Sequence, residues 1–293
     1  MWKKKQYHLA EKKNMSNFAS MSQIRKIYYR LCAWYPYRTL KPAREEIDVV
    51  IPVIAKDLEI LPLCIEGVRR CVAHPIKNIY LVAPDDKAIR QFCDSHGLVF
   101  VEETSVLGFK AKDLGIVVDG RDRSGWLYQQ LIKLSGKVGT CERYLCIDSD
   151  HILVRKHIFV TEEGKTVFYM SYEKNDAYYR NIHRMFPEIK LARLSYVAHK
   201  MLFTKQTLKK LHEEMSARTG KTWTQAIIDN YDRGCFADFS EFELYGNFVP
   251  KEEKVLRPWL QKLLRYNKLA DYETLYKRWT NHRMSLTFPA YRK

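Results

Sequence analysis

The sequence predicts an α/β protein, a mostly parallel sheet flanked by helices, with helical, basic extensions at its N- and C-terminal ends. Three observations lead there. Short apolar runs at 47–54, 79–83, 98–102 and 144–147 alternate with longer polar stretches of helical character, the pattern of strands buried on both faces of a parallel sheet. Acidic residues directly follow three of these runs, where the loops of such a sheet bind ligands. Charge also divides the 293 residues: eleven Lys/Arg face three acids in 1–46, eleven face four in 251–293, and the middle carries 28 against 27. A nearly neutral body, 47–250, therefore lies between two basic ends, and the formal net charge of +16 belongs to those ends.

Residues 20–37 place Ile24, Ile27, Tyr28, Leu31 and Trp34 on one helical face beside Arg25, Lys26 and Arg30, which predicts an amphipathic helix closed by Pro36 and Pro42. The body opens at Ile47 with DVVIPVI. The next strands are IYLVA and LVFVE, then a helix over 125–134 precedes the strand YLCI. Past residue 150, KTVFYMSY (165–172) and SYVAHKMLF (195–203) read as strands, 205–216 and 222–231 as helices, and 255–279 as a basic, aromatic helix.

Several function classes drop out. The seven cysteines form no CxxC pair and no Cys/His grouping of zinc-ligand spacing, which points to a reducing, cytoplasmic compartment. The N-terminus lacks the apolar core of a signal peptide, and no window approaches a membrane span, so the chain is expected neither to be secreted by that route nor to cross a bilayer. Residues 215–222, MSARTGKT, approach a phosphate-binding loop, but Met215 takes the place of its first glycine and a helix precedes it where a strand is required. With no GxGxxG and no GxSxG, dinucleotide binding and serine-hydrolase chemistry are not expected.

The three acidic loops hold Lys56 and Asp57, then Asp85 and Asp86, then Asp148, Ser149 and Asp150. A buried strand ending in Asp-x-Asp sets two carboxylates on one side of the sheet edge, which suits Mn²⁺ or Mg²⁺ shared with phosphate oxygens. Such an ion neutralises a departing diphosphate.

The segments VVIPVIAKDLEILPLCI, GWLYQQLIKL, RYLCIDSDHIL, SYVAHKMLF and FSEFELYGNF together resemble bacterial GT-A-fold nucleotide-diphospho-sugar transferases. The resemblance covers about 47–250. It implies a GT-A-like fold, a nucleotide-binding N-terminal half and an acceptor-binding C-terminal half. It also implies contacts to base and ribose from Val53, Lys56 and Asp57, with Asp148 on ribose or metal and Asp150 on metal.

On helix 125–134, Gln129, Gln130 and Lys133 would reach the same edge, Lys133 as a point charge on a donor phosphate or as a solvated lysine. Ser240 and Glu243 read as a capping box, which leaves Glu241 as the carboxylate base of an inverting route, with Asp238 second. A retaining enzyme needs no such base. His199, in the strand 195–203, is either a hydrogen-bonded structural residue or an acceptor or metal contact. Trp223 is either a sugar-stacking platform or a core aromatic, and His282 is a remote metal-ligand candidate. The sequence thus supports a metal-dependent glycosyltransferase using a nucleotide-sugar donor and a glycan or lipid-linked acceptor. A sugar nucleotidyltransferase is the alternative enzyme, although VIPVIAKD has no glycine for its phosphate loop; a non-catalytic membrane- or polyanion-binding protein is the third reading. The basic ends fit an anionic membrane surface on its inner, cytoplasmic face or, equally, helices packed on the body. No nucleic-acid partner is expected.

Overall fold

A computed structural model describes residues 23–32, 39–264 and 267–289. A helix over 23–32 (α1) leads into β1 (Ile47–Pro52), α2 (Leu61–Cys71), β2 (Ile76–Ala83), α3 (Lys87–His96), β3 (Val99–Glu102) and α4 (Glu103–Leu107). A short hairpin, β4 (Val117–Val118) and β5 (Arg121–Asp122), precedes α5 (Ser124–Leu134), β6 (Arg143–Ile147), β7 (His151–Leu153) and β8 (Thr166–Met170). Then come α6 (Asp176–Met185), β9 (Lys200–Thr204), α7 (Lys205–Thr219), α8 (Trp223–Asn230) and α9 (Glu241–Phe248). The chain closes with β10 (Lys254–Pro258), β11 (Gln261–Leu263), α10 (Tyr272–Trp279) and β12 (Ser285–Thr287).

The central sheet has the order β3-β2-β1-β6-β9, parallel except for β9, which runs antiparallel to β6. The inner strands are covered on both faces, and this is why they read as unbroken apolar runs. Val49 and Ile51 pack with Leu145, Ile147 and residues of α2 and α3 on one side. Val50 packs with Tyr144, Cys146 and residues of α5, α7 and α9 on the other. Asp48, buried in β1, accepts the Thr140 and Cys141 amides on Oδ2 at 2.6 and 2.7 Å, so the turn before β6 pairs one oxygen of the one charge in that run, while its Oδ1 is buried without a partner.

Two expectations change. The stretch 255–279 is helical only at α10; β10 pairs with β8, and β12 pairs with β7 and β11. Unsatisfied edges of small sheets take up the backbone there, and tertiary pairing overrides helix periodicity. The stretch 195–203 becomes a strand only from Lys200, because His199 adopts a left-handed backbone with φ of 60° that no strand residue can hold. On α1, Tyr29 is buried edge-on to Tyr172 at 5.4 Å, whereas the face with Ile24, Ile27, Tyr28 and Leu31 stays exposed. Trp34 lies outside the described residues. No helix among the described residues is long and apolar enough to cross a membrane, and all seven cysteines are free.

Candidate active site

From β1 the chain builds outward through β2 and β3, then crosses to the far side of β1 to lay down β6. Loops leaving β1 and β6 therefore diverge and leave a crevice beyond their C-terminal ends. That crevice is a cleft of about 490 Å³ lined by Pro52, Ile54, Lys56 and Asp57 after β1 and by Asp148, Ser149 and Asp150 after β6. Because β9 is antiparallel to β6, the residue before β9 sits at the C-terminal end of β6. The Asp148 amide donates to the His199 carbonyl at 3.0 Å, and the His199 ring meets the Asp148 carboxylate, Nδ1 to Oδ2 3.0 Å.

Asp148, Asp150 and His199 each offer one ligand atom, all within 4.8 Å of one another. Among the described residues nothing donates a hydrogen bond to the Asp150 carboxylate, and the buried Nε2 of His199 has no partner. Burial and the Asp148 charge push the Asp150 carboxyl up to about 6. Two carboxylates and an imidazole facing one another without enough donors form a set that a divalent cation completes, so the residues present fit one.

Lys133 closes the other side of Asp148. It comes from the buried end of α5 and donates to Asp148 Oδ1 at 2.6 Å and Glu241 Oε1 at 2.8 Å. Burial opposes its charge, yet the two carboxylates hold it above the ordinary lysine range. Burial likewise opposes ionisation of Asp148, but Lys133 and His199 outweigh it and hold that carboxyl well below its usual range. The same Asp148 contact raises His199 against the effect of burial. Behind them His151 stacks on His199 at 5.5 Å and meets Lys200 Nζ at 3.1 Å through Nε2. Burial pushes Lys200 down to about 7.

The structure brings Lys56, Asp57, Gln129, Gln130, Lys133, Asp148, Asp150, His199 and Glu241 to one cleft. Glu241 opens α9, and its amide donates to Gln130 Oε1 at 3.3 Å. Glu243 does not complete the capping box. Ser240 accepts the Glu243 amide at 3.4 Å, but the Glu243 side chain is buried and takes Tyr179 and Ser195 hydroxyls at 2.9 and 2.5 Å. Other expected residues lie elsewhere. Val53 packs in the core beside β1, Trp223 stacks on His212 at 4.2 Å, and Asp238 is held by Asn181, Arg184 and the Asp232 amide. Asp86 caps α3 and Asp85 pairs with Arg90, so the second acidic loop turns away from the cleft. His282 lines a different groove.

Trp126, Glu173 and Tyr178 also line the cleft and were not singled out by sequence. Trp126 precedes Gln129, Gln130 and Lys133 at helical spacing on α5, a signal that one-face periodicity contains. Glu173 comes after β8, beyond Ser171 and Tyr172, so only a wider search of the loops that follow strands would reach it.

Residues 44–282 match the family of unknown function DUF6492. Among curated proteins none matches the chain. Solved structures similar to it include the galactosyltransferase LgtC with donor and acceptor sugar analogues, at 13% identity over 83% of this chain and 87% of that one, TM-score 0.44. An active-site mutant of LgtC is similar at 14% identity over 84% and 89%, TM-score 0.46. Mouse xyloside xylosyltransferase 1 in its apo form is similar at 10% identity over 83% and 97%, TM-score 0.47.

Proposed function

The chain belongs to this family of unknown function, and we propose from its cleft that it is a metal-dependent glycosyltransferase moving sugar from a nucleotide-diphosphate donor to a glycan or lipid-linked acceptor. The observation that carries the reading is the convergence of Asp148, Asp150 and His199 within 4.8 Å at the point where strand order reverses. Two carboxylates with one imidazole nitrogen suit Mn²⁺ better than Mg²⁺. A divalent ion there supplies charge to the diphosphate leaving group. The chain's own residues do the rest. Asp57 is held at the mouth of β1 by accepting the Ile54 amide at 3.2 Å, and with Lys56 it faces the nucleoside end of the cleft. Trp126 offers a flat ring, and Gln129 and Gln130 offer amides, for base or sugar contacts. Lys133 sets the orientation of Asp148 and Glu241 together, so that a carboxylate from each side of the cleft is fixed before substrate arrives. Glu241 is the candidate base for the acceptor hydroxyl on an inverting route.

Seven free cysteines support a cytoplasmic location. The exposed apolar face of α1, with Arg25, Lys26 and Arg30 beside it, supports docking on an anionic membrane surface.

The test is a thermal-shift series with nucleotide diphosphates and nucleotide sugars, with and without Mn²⁺, on the wild type and on Asp150→Ala. Stabilisation should need both the metal and the carboxylate. An equal shift in Asp150→Ala, or one indifferent to metal, removes the reading.

A further inference from the structure

Two concave surfaces outside the cleft share an unusual lining. The larger, about 680 Å³, is lined by Arg155, Lys156, Arg257 and Arg283 together with the rings of Tyr169 and Trp259. The smaller, about 270 Å³, is lined by Lys26, Arg30, Lys262 and Arg283 with Tyr29 and Tyr172. They meet at Leu260 and Arg283, and no carboxylate lines either one. Lys26, Arg30, Arg155, Lys156, Lys262 and Arg283 form no ion pair among the described residues. Arg155 gives its guanidinium to the Thr280 and Asn281 carbonyls, which carry no charge. Arg283 donates to its neighbour's carbonyl at 3.4 Å and keeps a buried Nε without a partner.

Six such side chains in two adjoining hollows repel one another and attract anions into them, and a concave low-dielectric wall focuses that field. Guanidinium groups beside aromatic rings suit phosphate or carboxylate groups carried on sugar rings. The band also reaches the cleft. Tyr172 of the smaller groove precedes Glu173 of the cleft, and Gln261 of that groove donates to Glu173 Oε1 at 3.4 Å.

We propose that this basic band is the binding site for the anionic part of the acceptor, a phosphate- or carboxylate-bearing saccharide whose hydroxyl end reaches the cleft past Glu173. The acceptor role rests on the glycosyltransferase reading; the anion site itself does not. Nothing in the band requires metal, so it is separable from the cleft, whose paired carboxylates repel phosphate unless a cation intervenes.

The test uses the full chain in EDTA. Inorganic pyrophosphate is titrated by calorimetry at constant ionic strength, and flotation is measured with phosphatidylcholine vesicles with and without phosphatidylglycerol. Lys156→Glu/Lys262→Glu changes one cation in each groove, and Lys156→Gln/Lys262→Gln repeats the test with the smaller change. Pyrophosphate binding that weakens roughly tenfold or more in both variants, as expected for losing two charge-assisted contacts, supports the site with a soluble phosphate as its source. Binding to the anionic vesicles alone, weakened in the same way, supports it with a lipid headgroup as the source. Absence of binding to both probes, or binding that the variants leave unchanged, overturns it. The Mn²⁺-dependent thermal shift with nucleotide diphosphates, measured on the same variants, should be unchanged. Its failure in the wild type counts against the cleft reading and leaves the anion site standing.

Discussion

Lys133→Met isolates the electrostatic design of the cleft. The Lys133 side chain is 9% exposed, and its two partners, Asp148 and Glu241, are 27% and 4% exposed. Methionine preserves most of the stem, so the change removes the ammonium and leaves two carboxylates without their shared cation. Breaking a buried pair from one side costs about 3–5 kcal/mol. Asp148 keeps its contact with His199 at 3.0 Å and is partly solvated, so the lower end, about 3 kcal/mol, is expected. For a chain of this size that is a fall in melting temperature of roughly 6–12 °C. The pH dependence has a definite sign. The Asp148 carboxyl is held below its usual range in the folded protein, so its contribution is present above the ordinary aspartate pKa near 4 and disappears as pH falls through the lower folded value. The gap between wild type and Lys133→Met should therefore be widest near neutrality and narrow below about pH 4. Mn²⁺ should stabilise the variant more than the wild type, because it replaces a missing positive charge. Guanidinium unfolding from pH 3 to 8 reads all of this. A loss under about 1 kcal/mol at neutral pH, or a gap that does not vary with pH, refutes the account of Lys133 as the counter-charge of the cleft.

Burial pushes Glu243 up to about 7 from an ordinary 4.5, so the folded protein keeps a proton that the unfolded chain releases, and stability falls as pH rises through that window. Glu243→Gln should remove the decline, its stability relative to wild type climbing by up to about 3 kcal/mol between those pH values; a constant difference in denaturant midpoints would show that Glu243 ionises freely. Gly246→Ala would place a methyl 2.4 Å from the buried Tyr196 ring and should cost about 1–3 kcal/mol, visible as a lower melting temperature; a neutral result would mean that α9 can shift on its neighbours. In Tyr144→Phe the hydroxyl that donates to the Lys133 carbonyl at 2.7 Å and accepts the Gly136 amide at 3.2 Å is lost. A loss of about 1–3 kcal/mol is expected, and unchanged thermal unfolding would show that water takes over both contacts.

How far the sequence reaches depends on the range over which each feature is encoded. The inner strands of the central sheet were legible because both their faces are buried, so each leaves an apolar run a few residues long, as in Ile47–Pro52 and Arg143–Ile147. Asp148 and Asp150 were legible for the same reason, since the rule needs only the strand and the two residues beyond it. Where packing partners are distant, the local signal misled. The tail read as a helix from spacing alone and became strands by pairing with β8 and β7. The second acidic loop matched the loop-after-strand rule, yet Asp86 caps the helix that follows it.

The sequence by itself determined the α/β class, the succession of the principal strands along the chain and the position of the carboxylates at the end of the fourth. Those follow from burial patterns with a period of two or of 3.6, which act over neighbouring residues. Only the tertiary structure decided that His199 joins those carboxylates, because that needs β9 to run antiparallel to β6. It alone also decided that Lys133 reaches Glu241, 108 residues further along the chain, and ties it to Asp148, and that cations from both ends of the chain share one groove. No periodicity encodes such meetings. They arise when a sheet reverses its strand order and its loops close on a common edge.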